Sequence, residues 1–161
     1  MKKATNNIIV FLADIRSAQN AGAIMRTADA SGVHELVFGG YTPSPVDRFG
    51  RVRKEFVKAS LGAEKHVQWR EVPDILKELK RYKKEHATIV AVEQHGRARD
   101  YKTLHLGKGT TVLMFGNEVS GIPKKFLSLA DTVIEIPMRG EKESLNVSVS
   151  AGIVLYRLLG I

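Results

Sequence analysis

Five short runs in this 161-residue chain are almost wholly apolar and rich in β-branched residues. They are Asn7 to Ala13 (NIIVFLA), Glu35 to Gly40 (ELVFGG), Thr88 to Glu93 (TIVAVE), Thr111 to Phe115 (TVLMF) and Thr132 to Pro137 (TVIEIP). A strand wetted on one side alternates apolar with polar residues, whereas continuous apolar runs of this length mark strands buried on both faces. Between the runs the spacing becomes helical: over Ala21 to Ser31, closed by Gly32; over Val72 to Glu85, with Pro73 in its first turn; and over Pro123 to Ala130. Strand and helix in alternation predict an α/β domain, a mainly parallel sheet flanked by helices.

The helix expected from Val72 carries Val72, Ile75, Leu76, Leu79 and Tyr82 on one side and Lys77, Lys80, Arg81 and Lys84 on the other, the pattern of a surface helix with a solvated basic face. The last helix, Val147 to Leu159, differs. Val147, Ala151, Val154, Leu155 and Leu158 form one apolar stripe, and Ile153, Tyr156 and Leu159 form a second. A helix apolar on two sides needs cover on both. A chain of this length with 43% hydrophobic residues builds one domain, read here as residues 1–161. The second cover is therefore expected from another copy of the chain, as a homodimer.

With no cysteine, disulfides and thiolate metal sites are excluded. His34, His66, His86, His95 and His105 have no close ligand spacing, so no metal is expected. Near the N-terminus Asp14 interrupts the apolar run of MKKATNNIIVFLADI, and no small-residue cleavage site follows, so the segment reads as a first strand rather than a signal peptide. No window approaches the roughly 18 apolar residues of a membrane span, and a soluble, cytoplasmic protein with no membrane partner is expected. The formal charge of +8 points to a polyanionic partner, because clustered Lys and Arg gain affinity for phosphates by releasing condensed counterions.

In open α/β sheets ligands bind beyond the carboxyl ends of the strands. Three segments with unusual polar or glycine content follow strands in this chain: RSAQNAGAIMRTADASG with Asn20, Gly22 and Arg26; FGNEVSGIP with Gly116, Asn117, Glu118 and Gly121; and GEKESLNVSVS with Ser144, Asn146 and Ser148. Each residue also has a structural reading. Asn20, Ser144 and Asn146 are helix-capping types, Glu118 can favour the start of a helix at Pro123 through its dipole, and Gly22 in a helix suggests close approach by another group. The phosphate-loop pattern G-x-x-x-x-G-K-[ST] is absent, and no G-x-G-x-x-G follows the first strand, so neither a nucleoside triphosphatase nor an ordinary dinucleotide dehydrogenase is supported.

Taken together, NAGAIMRTADASGV, LMFGNEVSGIP and IEIPMRGEKESLNVSVSAGIVLY resemble the three motifs of the SpoU/TrmH family of SPOUT RNA methyltransferases, and KASLGAEKHVQW and VAVEQ extend the likeness over nearly the whole chain. The resemblance implies a C-terminal trefoil knot, a homodimer, S-adenosylmethionine as methyl donor, and methylation of a ribose 2′-hydroxyl in tRNA or rRNA. It implies further that backbone at Gly116, Ile136 and Leu145, with Met138 alongside, holds the adenosyl part. Catalytic roles would fall to Asn20, Arg26, Glu118, Ser144 and Asn146, with Arg26 acting on the hydroxyl. Family members often carry additional RNA-binding domains or terminal helices. RNA recognition is therefore expected of the core dimer, through Arg48, Arg51, Arg53, Lys54 and Lys58. The competing reading is a catalytically weak RNA-binding dimer of the same fold, which would have no need of the Asn20, Arg26, Glu118 and Asn146 set.

Overall fold

The computed structural model describes residues 7–161. The segment 1–6, part of the stretch read above as a first strand rather than a signal peptide, lies outside the described residues. Among the described residues the strands are β1 (Asn7–Ala13), β2 (Glu35–Gly39), β3 (Gln68–Val72), β4 (Thr88–Val92), β5 (Arg99–Asp100), β6 (Thr110–Phe115) and β7 (Thr132–Glu135). They form one sheet in the order β3-β2-β1-β6-β4-β7-β5. Every pairing is parallel. The helices are α1 (Ala18–Ser31), α2 (Lys54–Ser60), α3 (Ile75–Lys84), α4 (Lys124–Leu127) and α5 (Val147–Leu159), with short 3₁₀ turns at Ala63–Lys65 and Tyr101–Thr103.

Both faces of the sheet are covered, as the continuous apolar runs require. Ile8, Val10 and Leu12 of β1 pack toward the buried faces of α1, α2 and α5, while Ile9, Phe11 and Ala13 pack toward α3 and α4. At the β2–β3 edge Phe38 meets Phe56 and Trp69 edge to face, at centroid distances of 5.7 and 5.9 Å. Arg70 on β3 ties β2 to α3 by donating to Glu35 (2.8 Å) and Glu78 (2.5 Å). Arg81, expected on a solvated basic face, is also engaged, pairing with Glu78 and Glu85.

Several boundaries differ from the sequence expectation for local reasons. Val72 closes β3 rather than opening a helix, because the residue before a proline is pushed out of helical conformation. The helix starts at Ile75, where the Asp74 carboxylate caps it by accepting from the Lys77 N–H at 3.0 Å. Pro123 sits at the N-cap of α4, which runs only to Leu127. Helix α1 begins at Ala18 rather than Ala21. Its cap is Ser17, whose hydroxyl accepts from the Asn20 N–H at 3.1 Å, so the Asn20 side chain is not used as a cap.

Gly22 owes its identity to α2. A β-carbon there would run into the Phe56 carbonyl oxygen and stand 3.0 Å from the Ala59 β-carbon, so the group approaching Gly22 is a neighbouring helix backbone. Gly22→Ala should destabilise the fold by about 1–3 kcal/mol through overpacking. The check is the urea unfolding midpoint, which should fall at unchanged slope.

Candidate active site

Because all strands run in parallel, their carboxyl ends share one edge. The strand order switches between β1 and β6, the kind of crevice where α/β sheets bind ligands. Residues at and after the ends of β4, β6 and β7, joined by Asn20 of α1, line a cavity of about 540 Å³ at this edge. Its walls include Asn20, Gly116, Glu118, Ile136, Met138, Ser144, Leu145 and Asn146, with Val92, Phe115 and Val147 as further apolar surface.

Three of the polar groups meet directly. The Glu118 carboxylate accepts from the Arg16 N–H (2.9 Å), the Ser17 N–H (3.1 Å) and the Asn20 side-chain amide (2.9 Å). The Asn20 amide oxygen accepts in turn from the Asn146 side chain at 3.1 Å. Asn146 also caps α5, its oxygen accepting from the Ser148 N–H at 2.8 Å. One side chain thus fills both roles weighed for it. Glu118 does not serve the start of α4, as its spacing from Pro123 suggested. It reaches the positive end of α1 instead, where free N–H groups point outward. Burial raises the Glu118 pKa, but the hydrogen bonds from Arg16, Asn20 and Ser17 outweigh it and hold the carboxyl below its ordinary value of 4.5.

Three further polar residues fix the loops: Asn117, noted in the sequence without a role, and Glu93 and Gln94, which were not singled out there. Asn117 is buried. It donates to the Asp14 carbonyl and the Tyr41 hydroxyl, both at 2.9 Å, and accepts from the Val119 and Ser120 N–H groups, also at 2.9 Å. At the end of β4 the Glu93 carboxylate accepts from the Ile122 N–H at 2.7 Å, and the Gln94 side chain donates to the Ile136 carbonyl at 2.9 Å. Glu93 and Gln94 therefore clamp both loops expected to hold a cofactor. Their signal in the sequence was two polar residues directly after a buried strand. Gly116 is required by the loop itself, since a β-carbon would stand 2.5 Å from the Ile122 side chain and 2.7 Å from backbone at Gly121.

Arg26 is not part of this convergence. It is exposed, is absent from the cavity wall, and makes no hydrogen bond or ion pair among the described residues. Six residues along α1 place it about 9 Å along the axis and about 120° around the helix from Asn20. The basic set also lies outside the cavity, with Arg48, Arg51 and Arg53 on the loop before α2 and Lys54 and Lys58 on α2. Arg51 is paired with Asp47 at 2.8 Å, and the Arg53 side chain donates to the Val46 carbonyl at 3.3 Å. Among the described residues no group of His, Asp and Glu is arranged to hold a metal ion, and no helix is long and apolar enough to cross a membrane.

A parallel sheet with a cavity lined from the carboxyl ends of its strands defines an α/β protein with a candidate ligand site. Comparison with known proteins narrows the class. The family model described as SpoU rRNA Methylase family matches residues 7–156. A Thermus thermophilus relative named tRNA (guanosine(18)-2′-O)-methyltransferase is 35% identical over 156 residues, covering 97% of this chain and 76% of its own. The crystal structure of the A. aeolicus TrmH/SpoU tRNA modifying enzyme superposes with a TM-score of 0.83 at 30% identity, covering 97% of this chain and 75% of that one. The AdoMet-bound rRNA methyltransferase of Sinorhizobium meliloti gives a TM-score of 0.83 at 28% identity, over 94% of this chain and 55% of that one. The chain belongs to the SpoU methylase family.

The geometry of Glu118 yields a test independent of any ligand. In Glu118→Gln one oxygen becomes an amide that faces N–H donors, and the variant should lose about 1 kcal/mol of stability at neutral pH after allowance for solvent screening. A carboxylate whose pKa is depressed on folding stabilises above its unfolded pKa, near 4.5, and loses that contribution as pH falls through the folded value. The gap in urea midpoint between wild type and variant should therefore close as pH is lowered below about 4.5.

Proposed function

We propose that the cavity at the strand ends takes S-adenosylmethionine and that the polar cluster beside it presents an RNA ribose to the donor, making the chain a 2′-O-methyltransferase of tRNA or rRNA. The observation that carries this reading is the meeting of Asn20, Glu118 and Asn146, from three separate segments, on one wall of the cavity. The cavity fits the cofactor in kind. It lies within the roughly 300–1,000 Å³ of small-molecule sites, offers backbone at Gly116, Ile136 and Leu145, and sets Met138 among the apolar walls. The name of the Thermus relative makes tRNA the first substrate to try. Membership of the family supports the trefoil-knotted path of the C-terminal segment, and the core shared across the sheet supports one methyltransferase domain.

S-adenosylmethionine, when bound, supplies an electrophilic methyl carbon on a sulfonium. The work left to the protein is orientation of a weak nucleophile. Asn20 and Asn146 hold each other and the N-termini of α1 and α5 in register, and Ser144 stands exposed beside them as a hydroxyl for the ribose. A guanidinium is a permanent cation. Arg26 would accordingly bind phosphate and polarise the hydroxyl, whose proton would pass to solvent, the new bond to ribose oxygen replacing the donor's methyl–sulfur bond and leaving a neutral thioether.

Unfractionated tRNA and rRNA methylated with labelled donor should yield, after alkaline digestion, labelled dinucleotides, because a methylated ribose blocks cleavage at its own phosphodiester. Label in mononucleotides would mean base methylation, and no label in either RNA would favour the non-catalytic binder. Arg26→Ala should lower the rate by about 100-fold or more with donor binding intact. Arg26→Lys should recover little, since a point charge does not reproduce the planar fork.

We read α5 as the core of a homodimer interface. Val149 and Tyr156 are 49% and 41% exposed, with Gly152 and Ile153 half-buried between them on the same face. A partner covering this stripe would also bring a second α1 near, which accounts for an Arg26 that lies outside its own chain's cavity. Light scattering should show a dimer at micromolar concentration, and Val149→Glu should give a monomer without activity. If Arg26 acts across the interface, mixing the inactive Arg26→Ala and Asn146→Ala proteins should restore part of the activity through hybrid dimers.

A further inference from the structure

The connection from Gly40 to Arg53 leaves the carboxyl end of β2 and so rises from the same edge of the sheet as the cavity. Its root is fixed to the ends of β1 and β6. The Thr42 hydroxyl accepts from the Ile15 N–H and lies within hydrogen-bond distance of the Leu12 carbonyl, both at 3.0 Å, and the Tyr41 hydroxyl accepts from Asn117 at 2.9 Å. Its tip is a tight hairpin. Val46 and Val52 form an antiparallel bridge, the Asp47 N–H donates to the Arg51 carbonyl at 2.8 Å, and Gly50 takes a left-handed φ of 76°. The Asp47 carboxylate braces the turn by accepting from the Phe49 N–H (2.8 Å), the Arg51 N–H (2.9 Å) and the Arg51 guanidinium (2.8 Å).

This stiff turn holds a phenylalanine in water. Phe49 is 65% exposed, and the guanidinium carbons of Arg48 and Arg51 lie 4.7 and 5.0 Å from its ring centroid. A ring of that size held out from the fold, with two cations against it and Lys54 and Lys58 on the helix that follows, has the composition of a single-stranded nucleic-acid platform. Such platforms pair an aromatic face, on which any base can stack, with cations that follow the phosphates. A protein partner would find charge concentrated at the centre of the contact, where protein interfaces are depleted of it.

We propose that Phe49 is a stacking platform for an unpaired RNA base next to the target nucleotide, with Arg48 and Lys54 on the flanking phosphates and Arg51 committed to bracing the turn. The proposal rests on the RNA reading above, and it adds a contact that the basic residues alone do not supply. The base is held by its π-face, so this contact positions RNA at the rim of the cavity without selecting sequence.

The experiment compares full-length wild type with Phe49→Ala, Phe49→Leu and Phe49→Trp in binding unfractionated tRNA, by fluorescence anisotropy across a range of salt concentrations and without methyl donor. Phe49→Ala should weaken binding about tenfold at every salt concentration, leaving the salt slope unchanged, while Arg48→Ala should lower the slope by about one. Trp should restore affinity and have its fluorescence quenched by RNA, whereas Leu should not restore it. Wild-type affinity in Phe49→Ala would overturn the proposal, as would rescue by Leu equal to that by Trp. A weakened dimer in Phe49→Ala would assign the ring to contact between copies instead, and would also overturn it. Binding is read without donor, so absence of methyl transfer by wild type would count against the enzyme reading alone and the Phe49 comparison would still decide this one.

Discussion

Parallel pairing of β1 with β2 on one side and β6 on the other is the constraint on which the site depends. It brings residues about a hundred positions apart to one edge, so that Glu118 reaches backbone at Arg16 and Ser17 and Asn146 reaches Asn20. Each of these hydrogen bonds is solvent-exposed, and such a bond contributes only about 1 kcal/mol net. They could not assemble the edge by themselves. The buried apolar residues of β1, β4 and β6 do that, and the polar contacts then select one arrangement of loops above them.

Rigidity at that edge comes from close approach and from side chains spent on backbone. Gly22 lets α2 sit against α1, which fixes the helix that carries both Asn20 and Arg26. Asn117 spends its amide on Asp14, Tyr41 and the turn that follows it, which joins the ends of β1, β2 and β6 through one buried residue. Glu93 and Gln94 do the same between β4 and the loops after β6 and β7. A cavity built from loops at strand ends needs such ties, because its surface recognises a ligand only while its shape is kept.

The sheet was legible in the sequence where burial was complete. Strands β1, β2, β4 and β7, and β6 but for Thr110, follow from the apolar runs. Strand β3 was missed because QWREV lies at the sheet edge with one buried residue, Val72, and that residue was drawn into the following helix pattern. Helix α2 was missed because its seven residues bury little beyond Phe56, too few for a helical period to register. For the site, the residue types and the strand-end location could be read, but partner choice could not. Whether Asn20 caps a helix or bonds Glu118 depends on where α1 begins, and that was settled by the serine three residues earlier. The clamps at Glu93 and Gln94 depend on a sheet order that places β4 between β6 and β7, which local sequence does not encode.

The state of Glu118 bears on the kind of catalysis this edge can perform. A carboxylate serving as general base near neutrality needs a pKa raised toward the working pH and a free oxygen facing the proton it removes. Glu118 does not match this, since its pKa is lowered and both of its oxygens already accept hydrogen bonds from the protein, three in all. Asn20 and Asn146 cannot take a proton at all. On the proposed reading the cluster places a ribose and holds its surroundings rather than serving as a general base. Methyl transfer from a sulfonium suits such a site, because the leaving group departs neutral and needs no acid, and the remaining barrier is met largely by alignment.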